Sequence, residues 1–307
     1  IMPRIDKVAV RVPASTANLG PGFDCLGLAL RLYNKLTLER SAGKKNEIVC
    51  GGRFGAEVDD SADNLVVRSA AHIFRMLKRP MPPLRFRLSI DIPLARGLGS
   101  SGTAIIGGCE AANALLGSPL SRQELFDEIV ALEGHPDNVA ASFYGGLTAA
   151  MRAGDRSIVQ RYAPSPRLRA VLAIPNYELS TKRARAAMPK KIAVTDAVAN
   201  LARVPLIVEA LRAGDLRNLS VLMEDRMHVP YRKPLIRAYD KLVEAGLKAG
   251  AGAVTISGAG PSVVGFCIES AEAVAMAFSS VFHNEGIPHE CAILSPDSGG
   301  TKAQVLR

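Results

Sequence analysis

The chain contains no tryptophan, and aromatic residues make up only 5% of its 307 positions. Ring platforms on which single-stranded nucleic acids stack are therefore scarce. Five cysteines, Cys25, Cys50, Cys109, Cys267 and Cys291, stand far apart, with no C-x-x-C pair and no histidine at ligand spacing. This excludes a zinc-finger pattern, speaks against a disulfide framework, and leads us to expect a reducing compartment. No apolar run reaches the roughly 18 residues of a membrane span; even AIIGGCEAANALLG is interrupted by Glu110. The first residues have no signal-peptide h-region, so a cytoplasmic protein without a membrane partner is expected, and Ile1 ahead of Met2 reads as an expression remnant or a start-site artefact. Nowhere does G-K-[ST] follow the glycine spacing of a Walker A loop, which excludes that nucleotide site.

What is present is ordinary globular material, 48% hydrophobic and 22% charged, long enough for two domains. The polar YAPSPR segment places a boundary near residue 163, giving units 1–163 and 164–307. Net charge is +9, but lysine and arginine are spread along the chain, so no nucleic-acid partner is expected. The densest basic cluster, Lys182 to Lys191, reads as a solvated face or as the holder of a small anion.

Residues 84 to 92, LRFRLSIDI, alternate apolar and polar and predict a half-buried strand that Pro93 ends. The small-residue run after Ser100 predicts a helix able to pack closely on a sheet. Ser121 and Glu124 form a capping box opening another helix toward Glu133, and Asp63 to Lys78 carry helical periodicity. Further on, Leu168 to Pro175 read as a strand, and residues 194 to 248 as mostly helical with breaks at Gly214 and Pro230. AVTISGAGPSVVGFCI reads as two strands around a turn, followed by a helix from Ala271 to Phe282 and a last strand at CAIL. The mixture is an α+β protein.

Between the predicted strand and helix lies GLGSSG, which satisfies the dinucleotide pattern G-x-G-x-x-G at Gly97, Gly99 and Gly102. That pattern also requires an acidic residue about 20 positions on, at the end of a second strand. Position 122 is arginine, and the nearby acids Glu124, Asp127 and Glu128 fall on the capped helix. The redox reading fails. What remains is a glycine-rich turn that delivers two serines to a helix N-terminus, either as a cradle for polyphosphate or as a flexible linker.

Four ordered segments, VRVPASTANLGPGFDCLGLAL from Val10, PLARGLGSSGTA from Pro93, EGHPDNVAASFYGG from Glu133 and SGAGPSV from Ser257, resemble the signatures of the GHMP small-molecule kinases. The first and third are similar to the branch of that family acting on homoserine. The resemblance implies an N-terminal domain like ribosomal protein S5 domain 2, a ferredoxin-like C-terminal domain, an active site between them, and a homodimer. It implies that ATP phosphates lie against Pro93, Arg96, Gly97, Leu98, Gly99, Ser100, Ser101, Gly102 and Thr103, with Ser101 and Glu133 on Mg²⁺. Asn64 and Leu65 fall near the adenine, although Asn64 equally suits a helix cap. For the acceptor, the resemblance implies Asn18, Asp24, His135, Asn138, Thr181, Arg185 and Arg232, the two arginines clamping a carboxylate. Asn18 and Asp24 also suit turn positions, and Asp137 beside Pro136 suits a helix N-cap. Asn138 stands where other members have an aspartate base, and an amide takes no proton at neutral pH. The expected activity is phosphoryl transfer from ATP to L-homoserine; a kinase for another hydroxylated metabolite such as mevalonate, or an inactive ligand sensor of the same fold, are the alternatives.

Overall fold

The computed structural model describes residues 5–61 and 63–306; Ile1 and Met2 lie outside them. Two sheets organise the chain. The first contains β1 (Lys7–Ala17), β2 (Leu26–Arg40), β3 (Glu47–Gly51), β4 (Leu84–Ser89), β5 (Leu147–Ala153), β6 (Arg156–Tyr162) and the last strand, β11 (Lys302–Leu306). Its order is β11-β1-β2-β4-β3, with β5 on β2 and β6 on β5; among the described residues only the β3–β4 pair is parallel. Helices α1 (Leu65–Met76), α2 (Ser100–Leu115), α3 (Arg122–Glu133) and α4 (Asp137–Tyr144) accompany it.

The second sheet contains β7 (Arg169–Pro175), β8 (Ala253–Ile256), β9 (Val263–Cys267) and β10 (His289–Leu294), antiparallel in the order β10-β7-β9-β8. With α5 (Thr181–Ala186), α6 (Val194–Ala213), α7 (Leu219–Leu222), α8 (Val229–Arg232) and α9 (Tyr239–Lys248) before β8, and α10 (Ala271–Asn284) before β10, this is a ferredoxin-like arrangement. Residue 163 falls between β6 and β7, while β11 returns to pair with β1. No helix among the described residues is long and apolar enough to cross a membrane.

Local physics accounts for most of these elements. In β4, Leu84, Phe86 and Leu88 are buried while Arg85 and Arg87 face outward toward Glu39 and Glu47. The strand stops at Ser89, earlier than alternation alone predicts. There the Asn34 side-chain oxygen accepts from the N–H groups of Asp91 (2.9 Å) and Ile92 (3.0 Å), taking the place of a ladder partner. The Ser121–Glu124 capping box is formed, and α3 ends on Gly134 in the left-handed region at φ 92°. Gly214, at φ 73°, ends α6 as expected. Asp137 is the first residue of α4; Pro136 occupies the N-cap position expected for Asp137.

Among the described residues, three apolar clusters fill the interior. One lies between the first sheet and α1, α2 and α3, and one between the second sheet and α9 and α10. The third takes Ala14, Leu28 and Leu98 from the first unit and Leu172, Ile207 and Leu211 from the second. Burial of that shared cluster holds the two units together, at roughly 1.5 to 3 kcal/mol for each large side chain, and fixes the cleft between them.

Candidate active site

A cavity of about 570 Å³ opens between the two units. Three glycine-rich segments meet there because each has somewhere to put its backbone. Gly97 and Gly99 take φ of 79° and 75°, and a Cβ on Gly97 would lie 2.2 Å from the Ser257 carbonyl oxygen. The C-terminal turn thus packs directly against the phosphate loop, and Ser257 Oγ donates to the Gly97 carbonyl at 2.7 Å. Asn18, itself left-handed at φ 70°, joins two of the segments. Its Oδ1 accepts from the Asp24 N–H at 3.0 Å, and its Nδ2 donates to the Gly258 carbonyl at 2.7 Å.

Ser100 begins α2, so the first N–H groups of that helix lack partners within it and face the cavity end of the dipole. Beside them, Ser101 Oγ donates to Glu133 Oε2 at 3.0 Å. Glu133 is the last residue of α3, with 10% of its side chain exposed. Burial pushes its carboxyl above the usual range, only partly offset by His135 and the Ser101 hydrogen bond. A hydroxyl and a buried carboxylate in contact are the hard oxygen donors suited to Mg²⁺.

The other groups in the cavity are strongly charged. Arg185 on α5 makes a bidentate ion pair with Asp24, at 2.9 and 2.7 Å, and this hydrogen bond raises its pKa. His135 Nδ1 is 2.8 Å from Asp137 Oδ1. Burial works against the imidazolium, but the Asp137 hydrogen bond and the Asp137 and Glu133 charges outweigh it, so the pKa rises. Arg232 at the end of α8 is 1% exposed. Its guanidinium meets the Ala184 and Gly258 carbonyls at 3.4 Å, Met188 Sδ at 3.5 Å and the Phe23 ring at 5.0 Å, with no carboxylate salt bridge among the described residues. Burial lowers its pKa.

Of the residues expected from sequence, Asn18, Asp24, Asn64, Leu65, Gly97, Gly99, Ser100, Ser101, Glu133, His135, Asn138, Thr181, Arg185 and Arg232 all line this cavity. Asn64 does so while capping α1, its Oδ1 accepting from the Val66 N–H at 2.9 Å. Five do not line it. Leu98 is a core residue, and Gly102 and Thr103 are buried within α2. Pro93 and Arg96 face a separate polar cleft of about 380 Å³, where Arg96 is held by Glu57 and Asn176. The sequence reading did not include Val58, Leu88, Ile90, Leu94 and Ala104, an apolar part of the wall, nor Glu178. Alternation marks Leu88 and Ile90 as buried, but nothing in the pattern distinguishes a cavity wall from a core.

The glycines differ in what they tolerate. At Gly102 a Cβ would meet Val139 Cγ1 at 3.0 Å, so Gly102→Ala sets a helix gain of roughly 0.5 to 1 kcal/mol against mild crowding. Activity should persist with Tm within a few degrees. A Cβ on Gly99 would lie 2.3 Å from Ser15 Oγ in a backbone region alanine disfavours. On the kinase activity that the resemblance implies, Gly99→Ala should lower kcat/KM for ATP at least about 10-fold, in line with ~1 to 3 kcal/mol of strain. Parallel kinetics and melting curves check both, and a silent Gly99→Ala would reject the close approach.

Comparison with known proteins gives this arrangement its class. Residues 64–146 match the model of the GHMP kinases N terminal domain and residues 207–284 that of the GHMP kinases C terminal domain; this is an ATP-dependent small-molecule kinase fold. A homoserine kinase of Parasynechococcus marenigrum is 43% identical over 307 residues, 98% of both chains, and one of Moorella thermoacetica 42% identical over 291 residues, 95% of this chain and 98% of that one. The crystal structure of homoserine kinase from Cytophaga hutchinsonii superposes with a TM-score of 0.88 at 29% identity, covering 99% of each chain. A mevalonate diphosphate decarboxylase of Enterococcus faecalis shares the fold alone, at 16% identity and a TM-score of 0.72 over 98% of this chain and all of that one. The chain belongs to the homoserine kinase family.

Proposed function

We propose that the protein transfers the γ-phosphoryl group of ATP to the side-chain hydroxyl of L-homoserine, giving O-phospho-L-homoserine and ADP. The observation that carries this is the charge arrangement of a single cavity. An anion-binding helix N-terminus and a Ser101–Glu133 oxygen pair share it with a buried arginine that has no carboxylate salt bridge among the described residues. Arg232 and Arg185 suit an amino-acid carboxylate. Asp24 and Asp137, whose carboxylates lie with His135 within 4.8 Å of one another, suit the ammonium group.

In the reaction, the acceptor oxygen bonds to the γ-phosphorus as the bond to the β–γ bridging oxygen breaks, and ADP leaves with that electron pair. N–H groups at the start of α2 hold the phosphates, and the charged cluster orients the hydroxyl; positioning of this kind supplies most of the rate. Ser101 and Glu133 would hold Mg²⁺, which when bound neutralises charge on the phosphoryl oxygens. Asn138 cannot accept a proton, so we assign the hydroxyl proton to a phosphoryl oxygen in a loose transition state.

A panel of acceptors with ATP and Mg²⁺, followed by ADP release, tests the reading. L-Homoserine should turn over, while mevalonate, 4-hydroxybutyrate and 3-aminopropanol should not, because each lacks one of the two charges that the pocket pairs. Turnover on mevalonate alone would move the protein to another branch of the GHMP kinases. Nucleotide and homoserine binding with no product would make it a ligand sensor.

A further inference from the structure

Beneath the phosphate loop, two buried hydroxyls lead to the amide of Asn138. Ser142, one turn after Asn138 on α4, donates from Oγ to Ser15 Oγ at 3.1 Å, and Ser15 Oγ donates to Asn138 Oδ1 at 3.0 Å. Ser15 is 0% and Ser142 1% exposed, so water does not compete for either bond. Both are fixed in place: the Ser15 N–H donates to the Leu98 carbonyl at 3.1 Å, and the Ser142 carbonyl accepts from Thr301 Oγ1 at 2.9 Å. The glycine at 99 leaves room for the relay.

The consequence concerns the amide. With Oδ1 taken by Ser15, the Nδ2 amino group is the end of Asn138 left to face the cavity that the residue lines. Turned the other way, the amide would aim a carbonyl oxygen at phosphoryl oxygens, and like partial charges would repel. A donor aimed where charge develops, and already held in place, costs no reorganisation during the reaction.

We propose that Ser15 and Ser142 are positioning residues for phosphoryl transfer, a hydroxyl relay that holds the Asn138 amide with its N–H donors toward the transferred group. The proposal rests on the kinase reading above and on the presence of Asn138 in the reacting pocket.

A double-mutant cycle in the intact enzyme tests it. Ser15→Ala should lower kcat about 10-fold, the size of one well-placed hydrogen bond, with KM for ATP and for homoserine within about twofold of the parent. In an Asn138→Ala background the same change should cost less than about twofold, because the group it orients has gone. Ser142→Ala should lower kcat about two- to threefold, again only when Asn138 is present, and it decides the matter by the same criterion if Ser15→Ala fails to fold by circular dichroism. An equal loss in both backgrounds would overturn the relay and leave the serines as packing residues. Asn138→Ala with parental kcat would overturn the role of Asn138 itself. Absence of homoserine turnover in the parent enzyme would instead reject the kinase reading.

Discussion

Replacing Glu133 by glutamine or alanine is expected to lower kcat by roughly 100-fold or more, the usual cost of removing a group that stabilises transition-state charge, while the fold survives. Glu133 lies at the end of α3, where Gly134 already supplies the helix stop, so the side chain is not needed as a cap. Its burial raises its pKa. The sign follows: the folded state holds the carboxyl proton more tightly than the unfolded chain, so ionisation at neutral pH counts against folding. Glu133→Gln removes that cost and keeps the shape, and its Tm should equal or exceed that of the parent. Ser101→Ala deletes an exposed hydroxyl from the first turn of α2 and should show the same pairing of lost turnover with retained stability. Kinetics by ADP release and thermal melts read both quantities. Near-normal turnover in both variants would remove the metal assignment, and a collapse in Tm would make Glu133 a structural residue instead.

The elements that sequence exposes are those whose determinants are local. The capping box of α3 needs only Ser121 and Glu124, and the strand at Leu84 needs only alternation. The phosphate turn needs glycine where φ is positive, which GLGSSG states directly. Neither β1 nor β2 was predicted as a strand. From Val12 to Ala17 every residue of β1 is buried, because both faces are covered, so the alternation that marks a half-exposed strand is absent. Pro13, at a register shift against β2, further disguises it.

Family resemblance brought fourteen expected residues to one cavity but not to their local partners. Asp24 and Arg185 were expected as two separate ligand groups, yet they pair with each other across 161 positions of sequence. Asn18, expected to touch the acceptor, has Oδ1 and Nδ2 engaged by the chain's own backbone. Arg96 carries the loop's only cation, yet Glu57 and Asn176 hold it on the far side. Apart from the Asp24 N–H, six positions from Asn18, the deciding partners lie tens to hundreds of residues away. A motif gives the order of side chains along a loop, and the tertiary fold decides which way each of them faces.

Arg232→Met is expected to raise KM for homoserine about 100-fold or more, leave KM for ATP within about twofold, and not lower Tm. Asp225 organises the turn that carries the arginine: its Oδ2 accepts from the His228 and Val229 N–H groups at 2.6 Å each. The guanidinium is then buried against Phe23 and two carbonyls, without an ion-pair partner among the described residues. A buried charge in that condition costs folding energy, and a methionine of similar reach removes the cost. The same desolvation makes the charge valuable to a ligand, because a carboxylate arriving there meets a donor that water has not screened. Loss of one such charge-assisted contact costs about 2 to 5 kcal/mol, of which about 2.7 already corresponds to 100-fold. Arg185→Met differs in kind, since it also releases Asp24 from its bidentate pair and should disturb the ammonium side as well. Initial-rate kinetics with each substrate varied, together with melts, separate the two. Weakened ATP binding in Arg232→Met would reject the carboxylate role, and a large fall in Tm would mean that the guanidinium holds α8 in place and is not held in reserve for the acceptor.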